Sequence, residues 1–136
     1  MRVTVRLSSD TLELIKKLEK LYSIEFGNLP LSQGHVVSRA YYLISNSHES
    51  ILEIDWVAVR DELVKGLDTE IDNSGDDSLK GGVIALNVSE ELMQGIKIMQ
   101  GKELRDRFDV KRLNTGFCIN LIVKFALIEA LEKLNR

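Results

Sequence analysis

Arg2-Val3-Thr4-Val5-Arg6-Leu7-Ser8 and, 81 residues further on, Val83-Ile84-Ala85-Leu86-Asn87-Val88-Ser89 decide how this chain is built. In both stretches alternate residues are apolar, and a serine able to cap a helix follows. Successive side chains of a strand point to opposite faces, so period-two alternation marks a strand with one face buried. Val3, Val5 and Leu7 then face inward, and Arg2, Thr4 and Arg6 face outward.

A second pair of segments repeats at nearly the same spacing. Leu31-Ser32-Gln33-Gly34-His35-Val36-Val37-Ser38 matches Leu113-Asn114-Thr115-Gly116-Phe117-Cys118-Ile119-Asn120 at an offset of 82, with a capping residue, a glycine and an apolar pair in register. Two independent segments agreeing on almost one offset imply a tandem duplication with a one-residue insertion in the second copy.

Each copy reads as strand, helix, helix. Ser8 or Ser9, followed by Asp10, starts the first helix, where an acid is favoured by the positive end of the helix dipole. Leu14, Ile15, Leu18, Leu21 and Tyr22 give it one apolar side, and Gly27-Asn28-Leu29-Pro30 ends it. Ser32 caps a second helix carrying Val36, Val37, Ala40, Tyr41 and Ile44. In the second copy Ser89-Glu90-Glu91 opens a helix with Leu92, Ile96 and Met99 on one face. Asn114 caps the last helix, which continues to about Leu134.

One strand and two short helices cannot bury a core, and a lone strand leaves its backbone groups unpaired. Antiparallel pairing of the two strands answers both needs and gathers Val3, Val5, Leu7, Ile84, Leu86 and Val88 over the four helices. The stretch 117–134 is apolar nearly all round, so it is expected at the centre of the bundle or against a second chain. The fold class that follows is mainly α with a short two-stranded antiparallel ribbon.

Strand, helix, helix, with polar residues alternating along a short N-terminal strand and a glycine at the start of the last helix, resembles the ribbon-helix-helix family of Arc- and MetJ-type repressors. The likeness covers about 1–45 and 82–136. It implies two fused ribbon-helix-helix units forming an intramolecular pseudo-dimer, with the ribbon entering the major groove of double-stranded DNA. Carried over by position, the base-contacting residues are Arg2, Thr4 and Arg6 with Val83, Ala85 and Asn87. Arg pairs with guanine O6 and N7, Asn suits adenine, and Thr can donate to a base or offer its methyl group to thymine. Arg2 and Arg6 also read as a charged, solvated strand edge; Val83 and Ala85 either meet thymine methyls or merely complete the sheet. The unlike second strand departs from the family's polar pattern and points to an asymmetric site.

The helix starts Ser32-Gln33-Gly34 and Asn114-Thr115-Gly116 are candidate phosphate contacts, since helix N-termini offer unpaired N–H groups and glycine permits close approach. Ordinary capping explains the same residues. Lys111 and Arg112, just before the second cap, either add phosphate contacts or form a solvated loop.

The net charge of −3 is unevenly spread. Residues 1–46 carry six Lys/Arg against four Asp/Glu (+2), residues 47–81 three against ten (−7), and residues 82–136 nine against seven (+2). These spans are the expected first unit, acidic connector and second unit. The acidity belongs to the connector, so both units remain mildly basic and compatible with DNA. In the connector, Ile54 to Val64 suggests a short helix capped by Asp55, with Trp56, Val59 and Leu63 on one side and Trp56 packed on the bundle. Asp72-Asn73-Ser74-Gly75-Asp76-Asp77 reads as an acidic tether without the alternation of a calcium loop.

Cys118 lies in an apolar run and reads as a small buried hydrophobe. His35 and His48 are isolated, and no catalytic spacing or phosphate-cradling glycine loop appears, so neither an enzyme, a cofactor, a metal nor a small-molecule substrate is expected. The chain opens directly on the strand pattern, and its apolar runs are too short and too charged to span a bilayer; a cytoplasmic protein without membrane contact is expected. The expected partner is double-stranded DNA, with a second copy on adjacent sites as a further contact. Three functions remain open: a transcriptional repressor, an accessory protein of the relaxosome at a plasmid transfer origin (plasmid conjugation), or an adaptor that keeps the fold for protein interaction without DNA.

Overall fold

The two alternating stretches form strands β1 (Arg2–Leu7) and β2 (Gly82–Asn87). They pair antiparallel, with Arg2 opposite Asn87, Val3 opposite Leu86, Thr4 opposite Ala85, Val5 opposite Ile84, Arg6 opposite Val83 and Leu7 opposite Gly82. The computed structural model describes residues 1–62 and 81–134, and within them the ribbon is the only sheet. The register continues past β1, where the Met1 ammonium donates to the Val88 carbonyl at 3.0 Å and the Val88 N–H donates to the Met1 carbonyl at 2.7 Å. The inner face buries Val5, Leu7, Leu86 and Val88, with Val3 and Ile84 partly buried beside them.

Helix α1 (Ser9–Ser23) starts at Ser8, whose hydroxyl accepts from the Thr11 N–H; Ser8 and not Ser9 is the cap. A 3₁₀ turn, Ile24–Phe26, carries it to Gly27 at φ 72°. Helix α2 (Gln33–Ser47) starts at Ser32, which accepts from the His35 N–H. After a second 3₁₀ turn, Ile51–Glu53, Asp55 caps the short helix α3 (Trp56–Asp61). Expected to reach Val64, α3 instead ends at Asp61, because Glu62 is extended and its N–H folds back to the Val59 carbonyl. Leu63, Val64 and the acidic tether 72–77 lie outside the described residues.

After β2 the chain forms α4 (Glu90–Met99), α5 (Lys102–Phe108) and α6 (Thr115–Leu134). The expected strand-helix-helix order therefore fails in the second half, which has three helices after its strand. The break is at Gln100 and Gly101, whose N–H groups close on the Ile96 and Ile98 carbonyls. Beyond the break Leu104 and Phe108 face inward. The detour ends at Asp109, which adopts a left-handed φ of 54°, 82 residues after Gly27.

Helix α6 packs against α1, α2, α3, α4 and β1, the central position that an all-round apolar helix requires. Trp56 fastens α3 to it: the indole is 1% exposed, donates Nε1–H to the Ile51 carbonyl at 2.8 Å and meets the Phe125 ring edge-on. Gly95 of α4 lies against the Tyr41 ring of α2, where a Cβ would overlap the aromatic atoms.

Candidate nucleic-acid interface

Because β1 and β2 pair in the register above, their outward side chains form three cross-strand pairs in a row. Arg2 stands opposite Asn87 at one end, Thr4 opposite Ala85 in the middle, and Arg6 opposite Val83 at the other end. All six are exposed, Val83 at 56%. One face about 20 Å long, at roughly 3.4 Å per residue, thus collects two guanidiniums, a hydroxyl, an amide and two small apolar groups. A two-stranded ribbon of this width is one of the elements that B-DNA's major groove admits.

Two helix starts flank this face, one at each end. Gly34, in the first turn of α2, rests on the backbone carbonyl of Asn87; Gly116, in the first turn of α6, rests on that of Arg6. At either position a Cβ would overlap the carbonyl oxygen. The glycines thus serve close approach of helix to strand, a packing role the sequence reading did not give them. Around them Ser32, Gln33 and Asn114 are exposed, and Thr115 is half-buried. Asn114 caps α6 by accepting from the Phe117 N–H at 2.8 Å, as Ser32 caps α2 by accepting from the His35 N–H at 3.1 Å.

Each strand exit is tied to the opposite helix by a residue that sequence reasoning missed. The Ser89 N–H donates to Ser38 Oγ at 2.9 Å. At the other end Asn120 Nδ2 donates to Thr11 Oγ1 at 2.8 Å, and Thr11 Oγ1 lies 3.0 Å from Ser8 Oγ. Ser38 and Asn120 are themselves 82 residues apart, so the repeat spacing was the signal that could have found them. The result is a groove at each end of the ribbon. One is lined by Arg6, Ser8, Asn114, Phe117 and Asn120, the other by Asn87, Ser89, Ser32, His35 and Ser38.

Lys111 and Arg112 are exposed on the loop before Asn114. That loop is fixed from below: Arg105 Nη1 donates to the Lys111 carbonyl at 3.2 Å, and Gln100 Nε2 to the Leu113 carbonyl at 3.0 Å. His35 is exposed at the opposite end, edge-on to Phe26 with ring centroids 5.3 Å apart.

Cys118 is fully buried in α6, and burial pushes its thiol up to about 12. Among the described residues no helix is long and apolar enough to cross a membrane. Comparison of the chain with protein-family models, with curated proteins and with solved structures finds no match, so the reading of this face rests on its geometry and chemistry.

Proposed function

We propose that this chain is a sequence-specific DNA-binding protein that lays the exposed face of the β1–β2 ribbon in the major groove and regulates transcription as a repressor. In this reading residues 1–46 and 82–136 are two fused ribbon-helix-helix units, joined into one pseudo-dimer by the segment between them.

The strand register is the observation that carries it. Residues of β1 and β2 that correspond in the duplication differ by 81, and residues that pair across the ribbon sum to 89. Thr4 and Ala85 satisfy both conditions, which supports a pseudo-two-fold centred between them. Three contacts around the ribbon recur at matching positions and support the reading: Gly34 on Asn87 with Gly116 on Arg6, the cap Ser8 with Ser89, and the cap Ser32 with Asn114. A two-fold ribbon matches the two-fold of duplex DNA, and two flanking helix starts are then placed for phosphates on either side. The third helix of the second half alters the path between α4 and α6 but leaves these contacts paired.

Selection of bound duplexes from a random pool tests the proposal. Enrichment of one sequence is expected, with affinity that falls steeply as salt is added. Arg2→Ala with Arg6→Ala together are expected to abolish the preference, because guanine readout is lost from both ends of the ribbon. Absence of enrichment, or a double variant that binds as tightly as the parent, refutes it. An accessory role at a plasmid transfer origin uses the same contacts; a relaxase gene beside this one would favour it.

One feature favours the adaptor reading. On the β2 side of the face, exposed Val83 and Ala85 leave Asn87 as the sole polar group. An apolar half-face of this kind suits a protein partner, and retention of such a partner by the Arg2→Ala, Arg6→Ala variant would support that reading.

A further inference from the structure

The two ends of the ribbon differ in the loops that lead into α2 and α6. Gly27-Asn28-Leu29-Pro30-Leu31 leads into the cap of α2, and the corresponding residues before the cap of α6 are Asp109-Val110-Lys111-Arg112-Leu113. Lys111 and Arg112 thus stand where the first copy has Leu29 and Pro30. Both cations are exposed, and among the described residues neither is joined by a salt bridge or a side-chain hydrogen bond. At the α2 end Leu29 is 64% exposed and Phe26 39%. Arg39, the one cation of α2, is occupied there: it pairs with Glu25 at 3.1 Å and lies over the Tyr42 ring. Glu91 also lines the groove at that end.

Resting on the DNA reading above, we propose that the protein grips its site unequally. The α6 end holds the phosphate backbone through Lys111 and Arg112. The α2 end, without a free cation at the matching positions, contributes base readout and little phosphate binding. The glycine contacts orient the ribbon relative to these ends. Gly116 rests on Arg6, so the pair Arg6 and Val83 belongs to the phosphate-gripping half-site; Gly34 rests on Asn87, so Arg2 and Asn87 belong to the other. The target is then a directional sequence. Its gripped half offers a guanine to Arg6 and a thymine methyl to Val83, and its second half offers a guanine to Arg2 and an adenine to Asn87. Phosphate contacts carry the salt dependence of binding, about 0.9 in the log–log slope for each phosphate neutralised. Most of that dependence is therefore assigned to one half-site.

The full chain and the duplex enriched from the random pool provide the test. Phosphate ethylation interference is expected on one half-site only, the half whose base preference disappears in Arg6→Ala. Lys111→Ala with Arg112→Ala should make the salt slope shallower by about 1.8, at about 0.9 per phosphate, while the base preference persists. Leu29→Lys with Pro30→Arg should add interference on the opposite half. Equal interference on both halves, or an unchanged slope in the Lys111→Ala, Arg112→Ala variant, overturns the unequal grip and leaves the DNA reading standing. A pool without enrichment overturns the DNA reading itself.

Discussion

The backbone carbonyl of Asn87 occupies the space that a Cβ on Gly34 would need. Gly116 bears the same relation to Arg6, so each end of the ribbon is seated directly on the first turn of a helix. Glycine usually weakens a helix by about 1 kcal/mol relative to alanine. Here the sign reverses: Gly34→Ala and Gly116→Ala must push a strand away from its helix, and each is expected to destabilise by about 1–3 kcal/mol. Gly82→Ala, with open space around it, is the control and should be close to neutral. Urea midpoints of the three variants check this.

Tyr22 is buried with its hydroxyl unpartnered, and burial holds that hydroxyl well above its ordinary value of 10.0, with Glu25 and Glu129 adding to the rise and Arg39 opposing it. A buried hydroxyl without a partner costs free energy, so Tyr22→Phe should leave stability unchanged or raise it by up to about 1 kcal/mol. The raised value also sets a pH dependence. Below pH 10 both folded and unfolded forms keep the proton and stability is full. Above it the unfolded chain releases the proton while the folded chain cannot, so stability falls as pH rises. Tyr22→Phe should make that alkaline fall shallower in urea titrations at pH 8 to 11. Part of the fall should survive, because Cys118 is raised in the same direction.

Trp56 is the only tryptophan in the chain, which makes its environment directly measurable. Its fluorescence should be blue-shifted in the folded protein and move to red on unfolding. Trp56→Ala removes a fully buried indole, its bond to Ile51 and its contact with Phe125. The expected loss is about 3–5 kcal/mol, read as a fall in the denaturation midpoint.

The Cys118 thiol is buried and its acidity suppressed, while thiol reagents attack the thiolate. Labelling of the native protein at pH 8 should be slow and should become complete in denaturant. Fast native labelling would mean that the first half of α6 opens readily.

Local chemistry made much of this architecture readable in advance. The alternation in 2–7 and 83–88 needs only the two-residue period of a strand. The caps at Ser8, Ser32, Ser89 and Asn114 act on N–H groups three residues away, and Gly27 marks its own turn. The three-helix path of the second half was missed because continuing a helix through Gln100 is locally acceptable. In the fold, the helix after the break buries Leu104 and Phe108, a demand of the core that no local pattern states. The roles of Gly34 and Gly116 were missed for a related reason: nothing in a sequence says which carbonyl lies against a missing side chain.

By itself, then, the sequence determined the strands, the capped helix starts and the buried faces, because periodicity and capping are short-range effects. Only the tertiary structure decided the strand register that aligns Arg2 with Asn87 and Arg6 with Val83, the seating of Gly34 and Gly116, the Ser38 and Asn120 ties, and the docking of Trp56. Those features join residues dozens of positions apart, and their energies depend on backbone approach and packed volume, which exist only once the chain has closed on itself.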